Sequence, residues 1–108
     1  MQTFFIDRDP GQQTSYAIPQ SDEIHVAALT AETEGEVTVP EGARLVVFSA
    51  TDDFYCRFDA DAEISVPSAA VTDGSGPELN PGVRLCDGVT TISLVAPRAC
   101  NVTLSFYS

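Results

Sequence analysis

Three carboxylates at alternate positions, Asp59, Asp61 and Glu63, form the densest group in this sequence that could do chemistry. On an extended segment they project one way and repel one another unless water or a cation intervenes, and calcium is the natural hard-oxygen partner. An EF-hand loop beginning at Asp59 needs glycine at its sixth position and glutamate at its twelfth, where this chain has Ile64 and Ala70. The reading favoured is a solvated acidic loop. The stretch Asp7-Arg8-Asp9-Pro10-Gly11 fails as an ion site in a similar way.

Other chemistries find less to work with. His25 is the only histidine, so neither a histidine metal cluster nor a charge-relay pair can be assembled, and a half-buried or surface polar role is expected for it. Glycoside hydrolysis needs two placed carboxylates, but 16 acidic residues make the requirement uninformative. Sugar platforms lean on exposed aromatics, and the chain has no tryptophan and three tyrosines. No G-x-S-x-G elbow presents a serine, and Gly74-Ser75-Gly76-Pro77 lacks the lysine and following helix of a phosphate cradle. Cys56, Cys86 and Cys100 contain no C-x-x-C pair. Free thiols behaving as small hydrophobes are expected, although a Cys86–Cys100 bridge is conceivable. The expectation is a protein without enzymatic activity, metal or cofactor.

Charge narrows the partners. Net charge is −11, and all five basic residues are arginine. Nothing here replaces the counterions of a phosphate backbone or an anionic membrane, whereas a basic protein surface is a fitting partner. Met1-Gln2-Thr3-Phe4-Phe5 has no basic start or long apolar run, so no signal peptide is expected, and Leu45–Phe48 is far too short to span a bilayer.

The elements that must position these residues read as strands. Turn signals at Pro40-Glu41-Gly42, Asp73-Gly74, Asn80-Pro81-Gly82, Asp87-Gly88 and Ala96-Pro97 punctuate short apolar runs. Residues 1–22 read as an N-terminal arm with a turn at Asp9-Pro10-Gly11 and at most one strand, Thr3–Ile6. Residues 23–108 read as one β-sandwich domain. Its expected strands include Ile24–Thr30, one around Val37 and Val39, and Ala43–Ser49, taken as central and covered on both faces. Phe54, Cys56 and Phe58 share one face of the next, with Tyr55 and Arg57 on the other. A short strand follows at Ile64 and Val66, then a main loop at Thr72–Gly82. Val83–Cys86 and Val89–Val95 flank Asp87-Gly88 as a hairpin. Cys100, Val102, Leu104 and Phe106 alternate with polar residues in the last strand. The sum is about eight strands in a single antiparallel sandwich, jelly-roll-like or immunoglobulin-like.

With little chemistry on offer, the candidate residues are interface residues: Tyr55 and Arg57, of types that interfaces favour, with Tyr16 on the arm and Asn80 and Pro81 in the loop. An ordinary solvated sheet accounts for Tyr55 and Arg57 equally well.

Several segments together carry a resemblance: Val39–Ala43, Val47–Tyr55, Val71–Gly82, Ile92–Pro97 and Val102–Tyr107. They are similar to small proteins encoded in the structural-gene regions of tailed bacteriophages and prophages. The likeness covers about residues 37–108 and leaves the arm aside; Cys56 and Cys86 have no counterpart in it. It implies a virion component, made in the host bacterial cytoplasm and binding a major capsid protein or another virion protein. Capsid decoration (cement) or the base of a head spike is the implied role, with a homo-oligomer, a trimer above all. A receptor- or glycan-binding module of a spike, fibre or tail is the alternative.

Overall fold

The computed structural model describes residues 1–7, 11 and 17–108. Among them run eight strands: β1 (Glu23–Leu29), β2 (Gly35–Thr38), β3 (Leu45–Ala50), β4 (Tyr55–Phe58), β5 (Glu78–Leu79), β6 (Val83–Leu85), β7 (Thr91–Val95) and β8 (Cys100–Tyr107). They form two four-stranded antiparallel sheets, ordered β1-β8-β3-β6 and β2-β7-β4-β5. First pairs with last, second with second-last, as in one long hairpin: β1–β8, β2–β7, β3–β6 and β4–β5. Rolling that hairpin into two layers adds β3–β8 and β4–β7. This is the jelly-roll order, which decides between the two sandwich topologies that the sequence left open.

Alternation in β8 explains why the layers close. Val102, Leu104 and Phe106 are completely buried and Cys100 nearly so, while Asn101 between them is exposed. Ile92 and Leu94 meet them from β7, and Val46 and Phe48 come from β3. Phe48 packs its ring 5.8 Å from Phe54 and 6.4 Å from Phe58, filling the space behind β4. All three cysteines are free and buried.

Four expectations change. Asp87-Gly88 does make a tight turn, with Val89 N–H donating to the Cys86 carbonyl at 3.0 Å and Gly88 at φ 79°. It does not make a hairpin, because β6 and β7 lie in different sheets. Cys86 is fully buried and Val89 packs on the core, so burial draws the chain around a corner. Second, β3 is central but half-covered on its outer side: Val46 and Phe48 are buried, Leu45 and Val47 only partly. Third, Ile64 and Val66 lie outside any strand, within the β4–β5 connection. Ile64 spends its N–H on the Glu34 carboxylate instead of a strand neighbour.

Fourth, the expected main loop Thr72–Gly82 carries β5 (Glu78–Leu79); Thr3–Ile6, where at most one strand was expected, holds none. The chain start is nevertheless tied to its own end: Ser108 N–H donates to Gln2 O (3.0 Å) and Phe4 N–H to Ser108 O (3.3 Å). Phe4 sits edge-on against Tyr107, whose hydroxyl donates to Pro19 O at 2.8 Å, and Ser21 Oγ donates to Phe106 O at 2.6 Å. Too few backbone bonds form there for a ladder, and Phe5 and Ile6 stay exposed. The expected Asp9-Pro10 turn and Tyr16 lie outside the described residues.

Replacing Phe106 by Ala should cost about 3–5 kcal/mol in urea unfolding, because a fully buried ring leaves a cavity between the sheets. Ser105→Ala, one position away on the outer side, should stay within about 0.5 kcal/mol.

Candidate functional site

The two outer faces of the sandwich are treated oppositely. Residues directly paired across antiparallel strands share a face. The inward row Cys56–Leu94 of the β2-β7-β4-β5 sheet therefore puts Tyr55, Arg57, Leu79, Ser93 and Val95 on its outer side. Yet Ser93 is only 2% exposed and Val95 is fully buried. The β4–β5 connection, residues 59–77, crosses this side. Asp59, at φ 47°, starts it by accepting Thr90 and Thr91 N–H on Oδ1 at 2.9 and 3.0 Å. The Glu34 carboxylate beside β2 holds Ile64, and Arg57 Nη1 donates to Gly76 O at 3.2 Å on the way back. A cavity of about 440 Å³ remains under the crossing, lined among others by Arg57, Asp61, Glu63 and Pro77.

The three alternating carboxylates thus divide. Asp59 caps backbone amides, while Asp61 and Glu63 are exposed. Among the described residues, no three His, Cys, Asp or Glu side chains are grouped to hold a metal ion.

Asn80 is a brace. At φ 49° it exchanges backbone and side-chain bonds with Phe54: its N–H donates to Phe54 O (2.9 Å), and its Oδ1 accepts Phe54 N–H (3.0 Å). Its Nδ2 donates to Asp53 Oδ1 at 2.9 Å. Pro81, beside it, is buried. On the same loop cluster Arg98 grips Asp52 through two bonds of 2.9 and 3.0 Å, and that hydrogen bonding holds the Asp52 carboxyl down at about 2.

Polar groups also close the open side between the sheets. Glu78 of β5 and Arg84 of β6 stand at inward positions of edge strands in different sheets. Arg84 Nε reaches both carboxylate oxygens at 3.0 and 3.2 Å, and Nη2 adds a further bond. Beneath them Cys56 is pushed up to about 12 by burial, with the Glu78 charge adding to the effect. On the opposite edge His25 stacks edge-on against Phe106 at 5.4 Å, and its Nε2 lies 3.2 Å from Glu23 Oε1.

Among the described residues, none crosses the outer face of the β1-β8-β3-β6 sheet over most of its width. Register places Ile24, Val26 and Ala28 of β1 and Leu45, Val47 and Ser49 of β3 on it. Val83 and Leu85 of β6 extend it, and β8 supplies Asn101, Thr103, Ser105 and Tyr107 to the middle. None of these side chains is charged, on a chain of net −11. Ile24, Val26, Val83 and Leu85 are 44, 63, 47 and 71% exposed. The described residues of the chain start cover the Tyr107 corner, through Phe4 and the Pro19 carbonyl.

Four of the five interface candidates of the sequence lie away from this surface, and Tyr16 is outside the described residues. Tyr55 and Arg57 lie together on the loop-crossed sheet, the first half-buried and the second bonded to Gly76; Asn80 and Pro81 join the brace at one end. Ile24, Val26, Val83 and Leu85, exposed on this face, are not among those candidates. Their signal was an absence: the outward positions of a whole sheet lack charge, which becomes visible only once register is known. No protein-family model, curated protein or solved structure matches this chain.

Asn80→Ala should destabilise the domain by about 1–3 kcal/mol in urea unfolding, because the Phe54 amide loses its acceptor near the core edge. Asp52 gives a pH test with a fixed sign. A carboxyl depressed in the folded state adds stability above its unfolded pKa, near 3.9, and that contribution is lost as pH falls toward about 2. Arg98→Ala should move the Asp52 titration up toward the ordinary carboxylate range, read by carboxyl-carbon NMR, and weaken this part of the acid dependence, with the Asp53 N–H still holding it somewhat low.

Proposed function

We propose that this chain is a non-enzymatic bacteriophage virion structural protein, a capsid decoration (cement) or head-spike-base protein that works by binding. The observation that carries the reading is the division of its surface. One broad sheet face is uncharged and, among the described residues, largely uncovered on a chain of net −11, while Arg57, Asp59, Glu78, Asn80, Arg84 and Arg98 are all engaged in holding loops and edges together. Such a body is suited to contact. The jelly roll is at home in capsids, lectins and cupins alike, so the fold supports the reading without selecting it. The likeness of residues 37–108 to phage structural-region proteins supplies the selection.

In this reading the acidic exterior docks on basic patches of the major capsid protein, and repetition over a shell multiplies a weak site into a stable coat. Each bound copy stabilises the folded, assembled state by mass action, against the pressure of packaged DNA.

Quantitative mass spectrometry of purified particles should find copies in near-stoichiometric ratio to the major capsid protein for decoration, or in tens for a spike base. Absence from the particles would overturn the proposal.

A further inference from the structure

We propose that the outer face of the β1-β8-β3-β6 sheet is a two-fold self-association surface whose occupant is a second copy of this chain. The first argument is the polarity of the edge strands. In β1, Glu23 and His25 occupy inward positions while Ile24 and Val26 point to solvent. In β6, Arg84 points inward while Val83 and Leu85 point out. A sheet serving only its own core would hold the opposite pattern, apolar in and polar out. Both edges carry the inversion, and both add apolar side chains to the same face. Inward charges on edge strands also discourage strand-by-strand addition, which leaves the face as the route of contact.

Charge complementarity names the occupant. A basic partner finds no carboxylate on this face to pair with, and a charged partner of either sign would lose hydration there without compensation. A second copy brings a face with the same lack of charge. Two chains of net −11 repel everywhere else, so this is the surface on which they can approach.

Number follows from symmetry. One self-complementary patch closes as a pair, whereas a ring of three needs a second, different patch to receive the first. The other sheet's outer side is crossed by residues 59–77 and its Ser93 and Val95 are already buried. A dimer is therefore favoured over the trimer that the family resemblance implied. Four strands at about 4.8 Å spacing, six residues long at about 3.3 Å rise, give a face of roughly 400 Å² in projection. Two corrugated faces and their rims come near the ~1,000 Å² floor for a specific interface, which sets the pair at the weak, concentration-dependent end.

Sedimentation velocity of the full chain, from micromolar to hundreds of micromolar, should show a reversible monomer–dimer equilibrium. Raising salt should strengthen it, since screening relieves repulsion between two acidic bodies. Val26→Asp and Leu85→Asp should each weaken association at least about tenfold, by burying an unpaired charge in an uncharged face. Both sites are exposed, so circular dichroism and melting of the monomer should remain those of the parent. Thr38→Asp, on the outer side of the other sheet, should leave the dimer intact. A chain that stays monomeric at every concentration and salt overturns the proposal, as does a trimer, or a dimer indifferent to both Asp substitutions. A dimer absent from virions would leave this inference standing and overturn the virion reading; a strictly monomeric chain found in virions would do the reverse.

Discussion

Everything in this molecule depends on the register of β8. That strand is hydrogen-bonded on both sides, to β1 from Glu23↔Phe106 to Leu29↔Cys100 and to β3 from Leu45↔Tyr107 to Ala50↔Val102. Side chains alternate with a period of two, so a slip of one residue would turn Val102, Leu104 and Phe106 to the outside and put Asn101, Thr103 and Ser105 into the core. Three large, fully buried side chains oppose that slip. Because β8 is shared, fixing its register fixes the facing of β1 and β3, and through β3 that of β6.

The same register imposes the polarity of the edges. Once Leu104 faces inward, its partner His25 must do so too, and Ile24 and Val26 are committed to the outside. The fold then has to satisfy polar groups on its inner rims. It does so locally: His25 lies against the Phe106 ring beside Glu23, and Arg84 spans from one sheet to Glu78 of the other. These pairs are solvent-exposed and stabilise little by themselves. Arg84–Glu78 links the two sheets at one open side without strand pairing, and His25–Glu23 satisfies the inner rim of β1, while apolar residues of both edge strands go to the outer face.

Legibility in the sequence followed the same division. The strands with one-sided alternation, β8 and β4, were readable because burial is what their pattern encodes; Phe54 and Cys56 face inward with Tyr55 and Arg57 outside, as the spacing indicates. The Ile24–Thr30 strand was readable as extended, but its facing was hidden, since alternation alone makes Ile24 and Val26 candidates for the core. Asp87-Gly88 revealed a turn and misled about what it joins: local turn chemistry fixes a change of direction, while the choice of sheet is made by burial of Cys86 on one side and Ile92 on the other. Asn80 looked like a loop residue free to bind, because a side chain that braces a backbone 26 positions away has no local signature.

The two outer faces show how one chain uses the same ingredients to opposite ends. On one sheet the connection 59–77 lies across the surface, held by Asp59, the Glu34 carboxylate and Arg57, so that an outward Val95 is as buried as any core residue. Ordering so long a connection costs conformational entropy, which short polar anchors and buried apolar contacts must offset. Among the described residues, the other sheet receives no such connection beyond the Phe4–Tyr107 corner. Jelly-roll order itself explains why the loop lies where it does: β4–β5 is the only sequential pair within one sheet, at the closed end of the rolled hairpin, so a long insertion there can fold over its own sheet without threading between the layers. The opposite sheet has its sequence neighbours across the sandwich, joined by short corners that reach around an edge and no further. Among the described residues its outer face is left open by topology, and the side chains that stand on it are uncharged, apolar on the edge strands and polar along β8.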